Sequence, residues 1–400
     1  MHKEGAGTFT RLWLPALAWL TSRAWLVVAG LVPLSWYPAG TLVFDDIEVY
    51  VRWLPSIAAG ELPVDEMWQY PPAAAIVFAI GLIGSTPTAV LVGAFVFVDL
   101  LLTVVLYRHS STAGWFWIAS GLVIGPVLLY RFDVIPALLA VLAILSANRP
   151  VRVGVWTALG AALKLWPVLL LIILPKRQAL RGVTVFAVVS LALLGLTFLL
   201  FDEVGGFLAG QRGRGLQIES VAALPFMIGN AFGGDIEMTY RFGAMEVDSS
   251  GAGPAAALTT AGLLLALGWL GLCWWRGVLA THLPADVALT VVLTSVTFSR
   301  VFSPQYSIWL LAIGGLCVAS SRSRLRLPVL LLLIAAGLAQ ILYPWGYAGF
   351  MIGEWFPVLL QTVRIGLVVV ACIVALARIS RPAESLAVDV TERRETLPQA

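Results

Sequence analysis

Residues 151–174, VRVGVWTALGAALKLWPVLLLIIL, are long enough to cross a bilayer once, yet Lys164 and Pro167 interrupt them. A helix needs about 20 apolar residues to span the hydrocarbon. Proline removes a backbone donor and clashes with the preceding turn, so it breaks or kinks a helix. The stretch therefore has two readings. As one straight crossing, it puts Arg149 and Arg152 on the opposite side from Lys176, Arg177 and Arg181. As a broken hairpin with Lys164-Leu165-Trp166-Pro167 near its outer tip, it returns all five to one face. Other basic clusters lie at Lys3/Arg11, Arg108, Arg276, Arg322/Arg324/Arg326 and Arg378/Arg381. All can be cytoplasmic, as the positive-inside rule asks, only if 151–174 is the hairpin. Residues 71–84, too short to cross comfortably, must also return to the outer face.

The rest of the chain has the same character. It is 60% hydrophobic and 12% charged, with a mean hydropathy of +0.92, where a soluble domain is nearer a quarter charged. Further candidate spans lie near 12–34, 88–107, 115–130, 133–147, 182–201, 257–275, 287–301, 305–320, 328–343 and 356–377. The 16 Trp, often near span ends, suit an interfacial aromatic belt. Cys273, Cys317 and Cys372 lie in apolar stretches and form no disulfide framework, CxxC or metal spacing. The first apolar run has no small-residue cleavage site and reads as a retained span. The expectation is an all-α polytopic integral membrane protein. It would have about 10–12 transmembrane helices, with interfacial and re-entrant helices on the outer face. Residues 1–377 form one transmembrane domain, and 378–400 form a cytoplasmic, disordered tail. Both termini are cytoplasmic, in a multi-pass plasma-membrane protein.

This topology leaves substantial outer loops at 35–87, 202–256 and 344–355, and chemistry-bearing residues gather in them and in two short outer turns. Asp45 and Asp46 form an acid pair directly after the first span. Arg131, Lys164, Arg212, Arg214 and Arg300 come from separate places along the chain. If these cations converge, they make a pocket for a phosphate or diphosphate carried by a lipid, since Arg grips phosphate oxygens bidentately and Lys adds a point charge. No Walker loop, dinucleotide fingerprint or Ser/His/Asp set is present, and no nucleic-acid partner is expected. His2, His109 and His282 all fall on the cytoplasmic side. A proton acceptor outside must then be a carboxylate, a Tyr or the substrate itself. A carboxylate facing a lipid phosphate suits one reaction: the acid deprotonates an acceptor hydroxyl, that oxygen attacks a sugar's anomeric carbon, and the phosphate leaves. Such a leaving group, held by Arg and Lys, requires no metal, although Asp45, Asp46 and Glu48 could hold one. No cofactor is expected.

Blander readings stand beside these. Arg131 could pair locally with Asp133, Lys164 could snorkel, and Arg300 could neutralise a helix C-terminus. One of Arg212 and Arg214 would bind phosphate and the other face water. Asp46 could be a loop acid capping an interfacial helix, and Tyr70-Pro71-Pro72 a structural helix start. Glu219 could orient an Arg or bind the acceptor. Asp99 and Arg364 read as structural hydrogen-bonding groups within spans, and Arg23 as snorkelling from the first. A lipid-linked-sugar transporter is the second function class, although no half-repeat is visible and the polar residues crowd one face.

Several of these residues carry a family resemblance. Asp46 four residues before Tyr50, Tyr70-Pro71-Pro72, Arg131-Phe132-Asp133 with Pro136, and Lys164-Leu165-Trp166-Pro167 resemble a GT-C membrane glycosyltransferase. Arg214-Gly215-Leu216-Gln217-Ile218-Glu219-Ser220 and Ser303-Pro304-Gln305-Tyr306 narrow it to glycosyltransferase family 87, a polyprenyl-phosphate-sugar-dependent actinobacterial group. The resemblance runs from about residue 40 to 310. It implies a polyprenyl-phosphate-linked sugar donor, either mannose or arabinofuranose, and a glycolipid or polysaccharide acceptor outside the cytoplasm. It also implies an aspartate base, best matched by Asp46 with Asp45 as the rival. Tyr50, Glu219, Gln305 and Tyr306 become candidates for acceptor-binding or orienting roles.

Overall fold

The computed structural model describes residues 4–32, 34–202, 204–205 and 214–383. Arg212 and the tail beyond residue 383 lie outside them. The helices are α1 (Glu4–Leu31), α2 (Ala39–Ala58), α3 (Ala74–Phe78), α4 (Pro87–His109), α5 (Ser111–Ile124), α6 (Val127–Tyr130), α7 (Val134–Leu145) and α8 (Pro150–Leu163). They continue as α9 (Lys176–Leu200), α10 (Leu224–Ala231), α11 (Ala252–Trp275), α12 (Pro284–Thr297), α13 (Tyr306–Ala319), α14 (Arg326–Ile341), α15 (Tyr347–Met351) and α16 (Trp355–Ile379).

The chain is an all-α polytopic membrane protein. Among the described residues, six segments are long and apolar enough to cross a bilayer: Trp13–Leu31, Pro87–His109, Lys176–Leu200, Ala252–Trp275, Arg326–Met351 and Trp355–Ile379. The other expected crossings are shorter apolar helices. Of these, α12 and α13 are buried along nearly their whole length. A helix packed in protein need not match the hydrocarbon thickness, because its backbone groups are satisfied internally and its side chains meet protein rather than lipid.

The broken hairpin forms. Helix α8 ends at Leu163, Lys164 is extended (φ −148°, ψ 137°), and a 3-10 helix at Trp166–Ile173 runs back. Close approach needs Gly160, since a Cβ there would meet Pro167 at 2.9 Å. At the far end, a Cβ on Gly154 would lie 2.5 Å from the Gly182 carbonyl, and one on Gly182 would clash with Leu174 at 2.2 Å. The start of α8, the end of the 3-10 helix and the start of α9 therefore meet, with Arg149/Arg152 near Arg177/Arg181 and Lys164 at the opposite tip. Other basic clusters join one another in the same manner. Trp274 donates to the Leu174 carbonyl at 2.7 Å, Lys176 lies over the Trp275 ring, and Arg378 donates to the Arg324 carbonyl. His282 meets the Arg381 carbonyl at 2.8 Å.

Three local expectations are corrected. Residues 39–58, read as part of an outer loop, form helix α2, which buries Ile47, Tyr50, Trp53, Leu54 and Ile57. That spacing draws one apolar stripe along a helix. The 202–256 segment is not wholly helical or irregular: it holds β1 (Leu216–Gln217), β2 (Met238–Arg241) and β3 (Ala244–Val247), antiparallel in the order β1-β3-β2. The β2–β3 turn is Phe242-Gly243, with φ of 54° and 72°, the positive pair that a two-residue hairpin turn matched to strand twist requires. Arg23 does not snorkel. It is buried and pairs with Asp99 at 2.8 Å, while Trp19 and Trp117 donate to the same carboxylate at 2.7 and 2.9 Å. Two opposite charges this close offset part of the cost of placing either one in a span.

Candidate active site

At the Lys164 end of the hairpin lies a cavity of about 890 Å³. Asp45, Asp46, Arg131, Lys164, Arg214, Glu219, Gln305 and Tyr306 all line it. The structure thus brings together eight of the sequence candidates, from α2, the α6–α7 turn, the hairpin tip, the loop before β1, the segment after β1, and the start of α13.

Asp46 sits on α2, inside the helix rather than at its cap. Arg131 makes an ion pair with Asp46 Oδ1, and Tyr343 donates to Oδ2 at 3.3 Å. Burial pushes the Asp46 carboxyl above its ordinary value, while Arg131 and Tyr343 oppose the rise. Asp45, its neighbour, is exposed at the rim. Tyr50, one turn further along, faces away from the cavity wall. It is fully buried, stacked on Phe78 at 4.4 Å and edge-on to Phe132 at 6.0 Å, so it anchors α2 rather than reaching the cavity.

The local Arg131–Asp133 pair does not form, because the two acids and two cations pair crosswise. Lys164 donates to Asp133 Oδ1 at 2.6 Å, and its ammonium lies 4.9 Å from the Trp309 ring centre, 5.1 Å from Phe132 and 5.6 Å from Tyr70. Those rings offer their negative faces to the charge. Asp133 is fully buried, with Oδ2 unpartnered. Trp166 stacks on Trp309 at 5.0 Å, and Tyr306 stacks on the same indole at 4.3 Å.

Arg214 lines the cavity with Nε unpartnered. Arg300 does not reach it. Its guanidinium donates to Thr260 Oγ1 at 3.2 and 3.0 Å and to the Arg214 carbonyl at 3.3 Å, so it braces the loop before β1 that carries Arg214. Glu246 on β3 accepts from the Gly215 amide at 3.1 Å. Burial raises its carboxyl, with that amide and Arg214 opposing. Glu219 takes Arg364 of α16 at 2.9 Å and Gln217 at 3.0 Å. Burial raises its carboxyl against the pull of Arg364. Glu48 turns to Thr88 at 2.7 Å. Among the described residues, no group of three or more His, Cys, Asp or Glu is placed to hold a metal.

Sequence reasoning missed Tyr343 and Tyr347, which line the cavity from the far end of the chain. The only local signal is the Tyr343-Pro344 step where an apolar run stops.

Residues 68–233 match the family model of glycosyltransferase family 87. No curated protein and no solved structure matches the chain. The matched segment carries Tyr70, Arg131, Lys164, Arg214 and Glu219, while Asp45, Asp46, Arg300, Gln305 and Tyr306 lie outside it.

Proposed function

We propose that this protein, a glycosyltransferase of family 87 by its residues 68–233, moves a sugar from a polyprenyl-phosphate donor to a glycolipid or polysaccharide outside the cytoplasm. Mannose is the first candidate sugar and arabinofuranose the second. The fold is of GT-C type on this reading. The cavity opens on the outer face of the plasma membrane, and both termini are cytoplasmic. What supports it above all is a single cavity holding a carboxylate of raised pKa beside three cations from separate stretches.

The chemistry is an inverting displacement. Asp46 takes the proton of an acceptor hydroxyl, whose oxygen bonds to the anomeric carbon. The bond from that carbon to the phosphate oxygen breaks, and the lipid phosphate leaves with the electron pair. Lys164, Arg214 and Arg131 supply the donors that hold it. A carboxylate whose pKa is raised by burial is a stronger base than an ordinary one, yet still ionised above that pKa. A transporter would need polar groups that continue through the membrane. The intramembrane charge at Asp99 is instead closed off by Arg23, Trp19 and Trp117.

The test uses purified protein in detergent with total membrane glycolipid and, separately, radiolabelled polyprenyl-phospho-mannose and the arabinofuranose donor. One label should move. Asp46→Asn should bind that donor and lose about 10²–10⁴-fold in transfer, and Asp45→Asn should lose much less. The opposite ranking moves the base to Asp45. Full activity in both variants and in the double variant sinks the mechanism.

A further inference from the structure

Helix α14 does not run directly into α15. Between them Leu342–Gly346 forms a π-helical turn, a rare form found mostly as single turns and often at functional sites. Pro344 within it lacks an N–H and so cannot continue the α-helical ladder. Tyr343 and Tyr347, four residues apart, both line the cavity, and their rings meet edge-on at 5.8 Å. Tyr343 gives its hydroxyl to Asp46 Oδ2 at 3.3 Å, across 297 residues of chain. Arg131 holds the other carboxylate oxygen. The carboxylate is therefore gripped at both ends, by a cation from one side and a neutral donor from the other.

We infer that Tyr343 is a positioning residue for the reaction: its hydroxyl fixes the Asp46 carboxylate plane so that Oδ2 faces the cavity where an acceptor hydroxyl must arrive. The inference rests on the base role proposed for Asp46. The geometry is asymmetric in a useful way. Arg131 meets Oδ1 in an ion pair, and its full positive charge lowers the proton affinity of that oxygen. Tyr343 holds Oδ2 in a long bond that leaves the oxygen's second lone pair open. A carboxylate held only by Arg131 could swing about that pair. The groups that set the proton affinity of Asp46 are Arg131 from the α6–α7 turn, Tyr343 from the π turn and Asp45 on its own helix. Lys164, the nearby cation on the hairpin, is occupied by Asp133. The Tyr343 bond favours the ionised carboxylate, so removing it must move the acid limb of the pH–rate profile upward. A purely structural role would lower activity equally at every pH.

The experiment measures kcat and donor KM across pH on the full chain in detergent, with whichever labelled donor the enzyme uses. Tyr343→Phe keeps the ring and its contact with Tyr347. It should lower kcat roughly 10-fold or more, the worth of one hydrogen bond to a charged group. It should leave the donor KM unchanged and shift the acid limb upward. A ring-fluorinated tyrosine at 343, whose more acidic hydroxyl donates more strongly, should shift the limb downward. It also decides the matter should Tyr343→Phe not fold. Wild-type kcat and pH profile in Tyr343→Phe, with Asp46→Asn inactive, overturn the positioning role alone, as does a loss of kcat with no movement of the limb in either variant. An active Asp46→Asn overturns the base assignment beneath it.

Discussion

Lys164→Met separates a structural lysine from a substrate-binding one. Lys164 is 13% exposed at the hairpin tip, and its partner Asp133 is fully buried. Removing the ammonium leaves a buried carboxylate with no cation, a defect that costs about 3–5 kcal/mol of stability. Met preserves the aliphatic stem among Tyr70, Phe132 and Trp309, so little of the loss comes from packing. The same change removes one charged hydrogen bond to the donor phosphate, worth about 1.5–3 kcal/mol. That corresponds to roughly a 10- to 150-fold fall in kcat/KM for the donor. A loss in the single variant has two causes. Lys164→Met/Asp133→Asn resolves them, because it removes the stranded charge along with the cation. Its unfolding in detergent should return most of the way to wild type, while its donor kcat/KM should stay low. Recovery of both stability and donor use in the double variant would reduce Lys164 to a partner for Asp133 and refute its phosphate role.

The remaining expectations are shorter. Because burial raises the Asp46 carboxyl above its ordinary value and the base must be ionised, transfer should fall as pH drops through that raised pKa, and Asp46→Asn should abolish that limb. Arg364→Met strands the buried Glu219 and should lose about 3–5 kcal/mol of stability, with Arg364→Met/Glu219→Gln recovering most of it in a thermal melt. An impermeant thiol reagent added from outside should label a cysteine placed at 248 and spare one at 150. Labelling at 150 would place the basic end outside.

The parts of this fold that were legible in sequence are those fixed by neighbours in the chain. Pro167 breaks a helix wherever it sits, Lys164 interrupts the apolar run of a crossing, and Gly160 three residues before Leu163 leaves room for the returning chain. The stripe Ile47, Tyr50, Trp53, Leu54, Ile57 was also present, but Asp45, Asp46 and Glu48 interrupt the hydropathy that marks a crossing, so a surface helix looked like a loop. The hairpin at 238–247 was hidden for a different reason. Its strands are four residues each, and its turn puts Phe242, not a typical turn residue, at positive φ. Pairings across long separations were out of reach. Arg131 is two residues from Asp133, yet it reaches 85 residues back to Asp46. Arg23 finds Asp99 76 residues on, and Tyr343 belongs to the site only through tertiary structure.

The crosswise pairing bears on how the cavity would handle charge. Asp46 with Arg131, Asp133 with Lys164, and Glu219 with Arg364 are each matched, so the cations are affordable in a low-dielectric site before any substrate binds. Matched charges still have donors to give. An ammonium has three N–H groups and a guanidinium five, and Asp133 accounts for one bond of Lys164. Arg214 has no acidic side chain within ion-pair distance among the described residues. On the proposed reaction, the donor is a phosphodiester with one negative charge, and the departing lipid phosphate is a monoester that gains a second as the sugar leaves. Donors already oriented toward that oxygen stabilise the later charge more than the earlier one, and only such a difference speeds the chemical step. Arg214 should then contribute more to kcat than to donor binding. Arg214→Gln, with kcat lowered about 10-fold or more and donor KM little changed, would bear this out. A rise in KM alone would assign Arg214 to uniform ground-state binding instead.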